Sequence, residues 1–571
     1  LDNGYFRIYG KYLNDRNTFY LPLPFKAGED LRYVDGFPFE GTLTSPEGNH
    51  VRIPLPNQEG TLDIPLEDGQ HQNGYSIMAE LSAELGNGWN LLNKARYMSM
   101  DHTWNALVPN DVVSTEEELA RLVPDLEGTY GPGATVSLSY TNSSQAFSAG
   151  NDLLLEAGLW HVEKPMENFS DQLQLSKKYT WGSTTHELSF GTYLATYSAG
   201  NVWYFNDILT DVRSQPRFVD VTVTDAQGTQ THITDNGFRR YGSLFVRADG
   251  DVDLYAIFAG DSIKLNDKLR LDIGARYEKD RFRDFVEETT NFDLGNSSTL
   301  ADDAVGGGTG RIIGREQSFN QVAFSAGLNY LVNDGLAVWG RASTGYKMPI
   351  LDNYLFGDPP LEAEDLLQIE AGVRFGTPTF GLNSTAYYLQ LQNFPSQDVR
   401  IVDGETVFVT DYVGEAETIG LETELVSQPI EGLRFSLSAT LQRPEYTNFV
   451  EAEQDFSGNN VRRIAKEILD LSIQYTLGKA RVGGTWTYYG DRWSNNANTI
   501  KLPAYDLTSF TGSYRLTPKM AINAAILNAF NSKGLTEGNP RMDESSVGGG
   551  PAFLARPVLP RRFTLSLAFS L

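Results

Sequence analysis

The chain has 571 residues and no cysteine, and 46 Lys+Arg against 73 Asp+Glu leave a formal net charge of −27 at pH 7. These values exclude a disulfide-stapled scaffold, a thiolate zinc site and an iron–sulfur protein, and the acidic balance argues against nucleic acid as a partner. Aromatic residues at 12% separate the sequence from acidic disordered chains and predict a folded protein. Length alone suggests three or four domains. No uninterrupted apolar stretch approaches the roughly 18 residues a membrane helix needs. The mean hydropathy of −0.33 does not exclude a membrane barrel, whose strands carry an apolar side chain only at every second position.

Leu1-Asp2-Asn3-Gly4 opens directly into strand-like sequence, without a charged-then-apolar signal segment. In chain order, period-two alternation predicts strands near 4–13, 75–85, 89–101, 133–142, 151–164, 171–179, 184–196, 252–265, 268–280 and 320–332. It continues near 335–345, 365–376, 379–391, 415–427, 432–443, 465–477, 479–489, 504–516, 519–529 and 562–570, about 20 strands in all. Segments 239–249 and 401–411 read as further β structure inside outer loops. Leu269, Leu271, Ile273, Ala275 and Tyr277 alternate with Arg270, Asp272, Gly274, Arg276 and Glu278, and Phe563, Leu565, Leu567 and Phe569 alternate with Arg562, Thr564 and Ser566. Each such segment has one greasy face and one wet face.

A soluble sandwich or propeller would also produce this alternation. Three features weigh against it. The strands lack the fixed period of propeller blades. Very short turns (Asn87-Gly88, Asn266-Asp267-Lys268, Thr377-Pro378-Thr379, Thr517-Pro518-Lys519) alternate with long polar stretches at 14–74, 102–132, 197–238, 282–318 and 531–561. Tyr, Trp and Phe gather near strand ends, at Tyr9 and Tyr12, Tyr387 and Tyr388, and Trp486 with Tyr488 and Tyr489. Together they predict an all-β fold, a transmembrane antiparallel barrel with short periplasmic turns, long extracellular loops and aromatic girdles.

The C-terminal half resembles the TonB-dependent outer-membrane receptors. The resemblance rests on Ser343-Thr344-Gly345-Tyr346-Lys347-Met348-Pro349, Gly357-Asp358-Pro359-Pro360-Leu361-Glu362-Ala363-Glu364 and Ala416-Glu417-Thr418-Ile419-Gly420-Leu421-Glu422. Leu502-Pro503-Ala504-Tyr505, Ile526-Leu527-Asn528-Ala529-Phe530-Asn531 and Pro560-Arg561-Arg562-Phe563 follow in the family's order. Each piece alone is common; their order and spacing are specific. The resemblance implies 22 strands for the whole protein, a location in the outer membrane of a Gram-negative bacterium, and partners in the plug domain and the inner-membrane TonB complex. It further implies that the signal peptide, TonB box, plug and first hairpin do not fall within residues 1–571, which read as barrel throughout. The closing residue is Leu571, where the family ends on an aromatic.

No catalytic constellation is found. The 6 His do not form HExxH, no G-x-S-x-G elbow occurs, and Gly306-Gly307-Gly308 and Gly548-Gly549-Gly550 are loop sequence without a phosphate-binding context. The reading is therefore a non-enzyme without a cofactor. Asp249, Asp251 and Asp253 share one strand face and suit either Ca²⁺ or a solvated acidic rim. Outer carboxylates bridged by divalent cations to lipopolysaccharide are a related expectation. Arg270, Arg276, Arg374, Arg434 and Arg562 stand on wet faces. They are expected to line the lumen, pairing with plug carboxylates, with neighbouring acids, or with anions in an open pore. Trp203, Tyr204 and Phe205 are expected in an outer loop, where they either stack on a ligand or pack inside the loop. Ser114 followed by 115–122 reads as a capped helix.

The expected function is uptake of a scarce bulky nutrient, with a ferric siderophore as the family default. A passive channel selective through its lumen charges and a barrel docking a surface lipoprotein are the alternatives.

Overall fold

A computed structural model describes residues 4–26, 32–38, 40–56, 60–141, 146–147, 152–351, 362–402, 405–451, 454–538 and 552–569, with 395–402, 405–413 and 552 as backbone. Residues 357–361, 548–550 and Leu571 lie outside this set. An 18-stranded antiparallel sheet dominates it. The strands are β1 (Gly4–Asn17), β2 (Gln70–Gly86), β3 (Trp89–Ser114), β4 (Leu153–Trp181), β5 (Thr184–Asp211) and β6 (Phe238–Lys264). Next come β7 (Leu269–Phe292), β8 (Val305–Asn333), β9 (Leu336–Lys347), β10 (Glu364–Thr377), β11 (Phe380–Val402) and β12 (Glu405–Ile430). The last six are β13 (Leu433–Asn448), β14 (Glu467–Leu477), β15 (Ala480–Tyr489), β16 (Tyr505–Thr517), β17 (Met520–Leu527) and β18 (Arg562–Phe569).

Each strand pairs with the next along the chain, from β1 with β2 to β17 with β18. Among the described residues, β1 and β18 are not paired with each other. The tight turns gather at one end. At Asn87 and Gly88 both residues have positive φ (49° and 78°), the backbone a two-residue hairpin needs to match strand twist. All the long connections lie at the other end, the extracellular end of an outer-membrane barrel.

Of the roughly 20 predicted strands, the sheet contains 18, for two reasons. The segments 151–164 and 171–179 are one strand, β4, which passes through Pro165. Proline has no N–H to give, and the β4–β5 ladder is interrupted only at Lys164 and Pro165 before resuming in the same register. The segment 133–142 is also a strand, Thr135–Tyr140, but it pairs with Val219–Thr224 in a separate three-stranded sheet.

The segment 239–249 is the outer part of β6, and 401–411 belongs to the β11–β12 hairpin. The stretches read as loops at 102–132, 197–238 and 282–318 are likewise partly strand, because β3, β5, β7 and β8 run into them. At roughly 3.3 Å per residue the 29 residues of β4 extend roughly 95 Å. About 9–11 residues suffice to cross a bilayer, so most of this strand projects beyond it.

Burial divides accordingly. Ile257, Ile273, Phe324, Ile369, Ile419 and Leu565 are exposed on one face of the wall. They do not pack against a second sheet, as a sandwich core would require. The true apolar core lies in the projecting part. There Leu23, Phe25, Ile53 and Ile64, from the connection after β1, meet Leu107, Leu155, Ile208 and Phe238 of the strand extensions and Leu502 and Leu554 of later connections. A second core joins the α1 region to the three-stranded sheet through Val113, Leu154, Leu209, Val219 and Val221.

The wall makes a directional prediction. Leu471 is exposed and its neighbour Ser472 hydrogen-bonds Thr485 on the other face. Leu471→Arg should cost about 2–4 kcal/mol in urea unfolding from lipid vesicles. Ser472→Arg should cost markedly less, and equal losses would show that the faces are assigned wrongly.

Candidate ligand-binding face and charge clamp

Trp203, Tyr204 and Phe205 do not occupy a loop: they lie in the outer extension of β5, opposite Val162, His161 and Trp160 of β4. Alternation separates them. Trp203 and Phe205 share one face with Trp160, whose ring stacks on Phe205 at 3.8 Å between centroids. Tyr204 points the other way, toward Phe245 and His161. Phe205 is only 1% exposed, so it supports the site without presenting a surface to a ligand.

The same face carries three residues not singled out in the sequence, because their relation depends on strand register: Trp104 on β3, opposite Val162, with His102 and Lys164 two positions further along their strands. The Lys164 ammonium lies 5.7 Å from the ring centroids of both Trp104 and Trp203. An ammonium between two indole faces is held by their quadrupoles. His102 packs edge-to-face on Trp104 at 5.2 Å. Burial first, then the Lys164 charge, holds the His102 imidazole below its usual range. This face therefore combines flat aromatic surface with one positive charge, a combination suited to an anionic aromatic ligand.

Further along the same strands, a charge cluster ties their outer ends together. Helix α1 (Thr115–Leu122) follows β3 directly, and its first turn is capped by the Ser114 hydroxyl, which accepts from the Glu117 N–H at 3.1 Å. Arg121 on α1 donates to Glu156 of β4 at 2.9 Å and to Glu117 at 2.7 Å. Arg239 of β6 reaches the other Glu156 oxygen at 2.7 Å and lies 3.3 Å from Glu118. Glu118 is fully buried, and that contact lacks hydrogen-bond geometry. Burial, reinforced by the neighbouring Glu156 carboxyl, pushes the Glu118 carboxyl up to about 9 against the opposing pull of Arg239. Burial works in the same direction on Glu156, but Arg239, the neighbouring Glu118 carboxyl and Arg121 outweigh it and hold that carboxyl low. At neutral pH Glu118 is the protonated member and Glu156 the charged one.

The remaining sequence candidates are dispersed. Arg270 pairs with Asp272 at 3.0 Å, and Arg276 donates to Glu278 at 2.9 Å. Arg374 sits 5.6 Å from the Trp339 ring centroid. Arg434 and Arg562 are exposed, at the turn end of β13 and the start of β18. Asp251 and Asp253 both contact Arg283, the latter at 3.0 Å. Asp249 is exposed, and no group of three metal-ligating side chains occurs among the described residues.

A wall of antiparallel hairpins with exposed apolar faces, tight turns at one end and a packed cap at the other defines an outer-membrane barrel. Residues 123–529 match the family model described as "TonB dependent receptor-like, beta-barrel", and the chain belongs to that family. Curated relatives include a rhizobactin receptor of Rhizobium meliloti, 28% identical over 29% of this chain and 25% of the relative. The probable TonB-dependent siderophore receptor PiuA of Acinetobacter baumannii is 22% identical over 68% of this chain and 52% of its own length. The ferric enterobactin receptor of Pseudomonas aeruginosa is 24% identical over 56% and 42%. The chain thus spans about half or less of the length of these relatives. Among solved structures, the ferric-catecholate import receptor Fiu of E. coli K12 in its closed form superposes with a TM-score of 0.66 at 14% identity, covering 99% of this chain and 72% of that one. The crystal structure of PiuA gives 0.62 at 16% identity, covering 99% and 71%.

The charge cluster predicts a pH dependence. A carboxyl whose folded value is raised stabilises the fold fully below its unfolded value, and that contribution is lost as pH rises through the folded value. Amide protection of α1 should therefore fall between about pH 5 and 9. Glu118→Gln should flatten this dependence; an unchanged slope in hydrogen exchange would reject the assignment.

Proposed function

We propose that the chain forms the membrane barrel of a receptor that captures a scarce, bulky ligand outside a Gram-negative cell. The ligand crosses the outer membrane on energy supplied by the inner-membrane TonB complex acting through a plug domain. The observation that carries this reading is the membership of residues 123–529 in the receptor-barrel family. The packed cap fits it, since capture calls for a preformed surface held on rigid elements. A plug seated within the wall would meet the arginines on its wet faces, Arg270, Arg276, Arg374, Arg434 and Arg562. Outer carboxylates, bridged by divalent cations, would face lipopolysaccharide.

For the ligand we favour an anionic ferric chelate with aromatic groups. Trp203, Trp160 and Trp104 offer stacking surfaces and Lys164 a compensating charge. The curated relatives, which include a rhizobactin receptor and a ferric enterobactin receptor, support an iron chelate.

In the full-length receptor, Trp203→Ala and Lys164→Gln should each weaken binding of a labelled ferric catecholate by about tenfold, the loss of a desolvated cation–π contact. Binding to cells should persist without TonB while uptake stops. Uptake independent of TonB, or a large steady current from the full-length protein in planar bilayers, would overturn the proposal in favour of a passive channel.

A further inference from the structure

The lipid-facing side of the wall has one built feature that the receptor function does not use. Across β4, β5, β6 and β7 the register aligns Leu175, Phe190, Ala259 and Ala275 in one row on the exposed face. Small side chains at Thr192, Ala259 and Ala275 form the floor of an apolar groove of about 470 Å³, and Leu173, Phe190, Ile257 and Tyr277 form its sides. The opposite parity carries Gln172, Gln174, Arg276 and Glu278, so the groove opens toward lipid and not toward the lumen.

Two residues nearer the tight turns, the same face changes character. The next row holds Lys177, Leu188 and Asp261, and the one after it Tyr179 and His186. The Lys177 ammonium lies 5.3 Å from the Trp89 ring centroid, and Trp89 meets Phe190 edge-to-face at 5.8 Å, joining the cation to the groove wall. His186 Nδ1 lies 2.7 Å from Asp261 Oδ2, its Nε2 3.0 Å from the Thr184 hydroxyl, and its ring stacks on Tyr179 at 4.9 Å. Asp261 Oδ1 is buried and has no hydrogen-bond partner among the described residues. A carboxylate oxygen in that position calls for a donor. Trp181, 75% exposed, marks the periplasmic interface beside it.

We propose that this groove binds one glycerophospholipid of the periplasmic leaflet carrying a primary-amine headgroup. An acyl chain lies along the small-residue floor, the phosphate meets Lys177, and the ammonium donates to the Asp261 carboxylate, whose side chain is 16% exposed. The charges fit in that order: a cation at the groove's foot on β4 and, across Leu188 of β5, a carboxylate on β6 with one oxygen unpaired. A quaternary amine has no N–H to give, and a glycerol headgroup has no positive charge, so the site separates these lipids by chemistry.

Native mass spectrometry of the protein purified from outer membranes, delipidated and then supplied with defined lipids, tests this. One phosphatidylethanolamine should be retained per chain, about tenfold more tightly than phosphatidylcholine or phosphatidylglycerol, the worth of one charge-assisted hydrogen bond. Asp261→Asn and Lys177→Gln should each remove most of that preference. Ala259→Phe fills the groove with an apolar side chain that a lipid-facing position accepts, and should abolish retention. Heat-modifiable gel mobility reports folding of each variant. Equal retention of all three phospholipids, lipopolysaccharide retained in their place, or retention unchanged in folded Ala259→Phe would each overturn the proposal.

Discussion

The structure depends on one constraint: in hydrocarbon every backbone N–H and C=O must find its partner on a neighbouring strand. Consecutive pairing meets that requirement along the wall from β1 to β18, except, among the described residues, at the outer edges of those two strands, and the tight turns at one end follow from it. Once pairing is fixed, alternation decides the rest of the wall. A shift of one residue would turn Ile257 and Ile273 inward and Arg276 and Glu278 outward, so register and membrane orientation are a single choice.

Outside the bilayer the same strands solve a different problem. Water satisfies free backbone groups there, and the incentive to continue the ladder comes from burying side chains instead. The extensions of β3 to β6 provide that by serving as one wall of an ordinary hydrophobic core, whose other wall is the connection after β1. The change is visible along single strands: β4 is exposed or half-buried around Phe169 and Leu173, and fully buried around Leu154, Leu155 and Leu159. The chain is a membrane protein over one part of each long strand and a soluble-type domain over the other. The soluble-type part is where Trp203 is held and where α1 is clamped.

This division explains what could be read from the sequence. The turns at Asn87-Gly88 and Thr377-Pro378-Thr379, the period-two faces and the cap of α1 are local, and each was legible. The outer parts of β4 and β6, at 151–164 and 239–249, also read as β structure, but the extensions of β3, β5, β7 and β8 did not, because polar and apolar residues mix there once both faces of a strand can be covered by protein. Residues 165–170 fell between two predicted strands because Pro165 has no N–H for the ladder. The charge clamp escaped because Glu118, Glu156 and Arg239 meet only through tertiary pairing. One local signal did exist: Glu156 interrupts the apolar run of Leu153, Leu154, Leu155 and Ala157, and a lone carboxylate in such a run must have a partner.

The clamp and the aromatic face are linked by the strands that carry them. Trp160 and Glu156 lie four residues apart on β4, and Trp203 shares β5 with the buried Asp207, whose carboxyl burial raises while Ser243 and Arg239 oppose it. Arg239 thus serves Glu118, Glu156 and Asp207 at once, and no substitution there can be confined to one pair. Arg239 is shared by three carboxyls, Arg121 adds a second cation at Glu156, and burial keeps Glu118 protonated beside them. Through these contacts Arg239 of β6 and Arg121 of α1 join on one carboxylate of β4, Glu156, which also lies on the strand that carries Trp160 and Lys164.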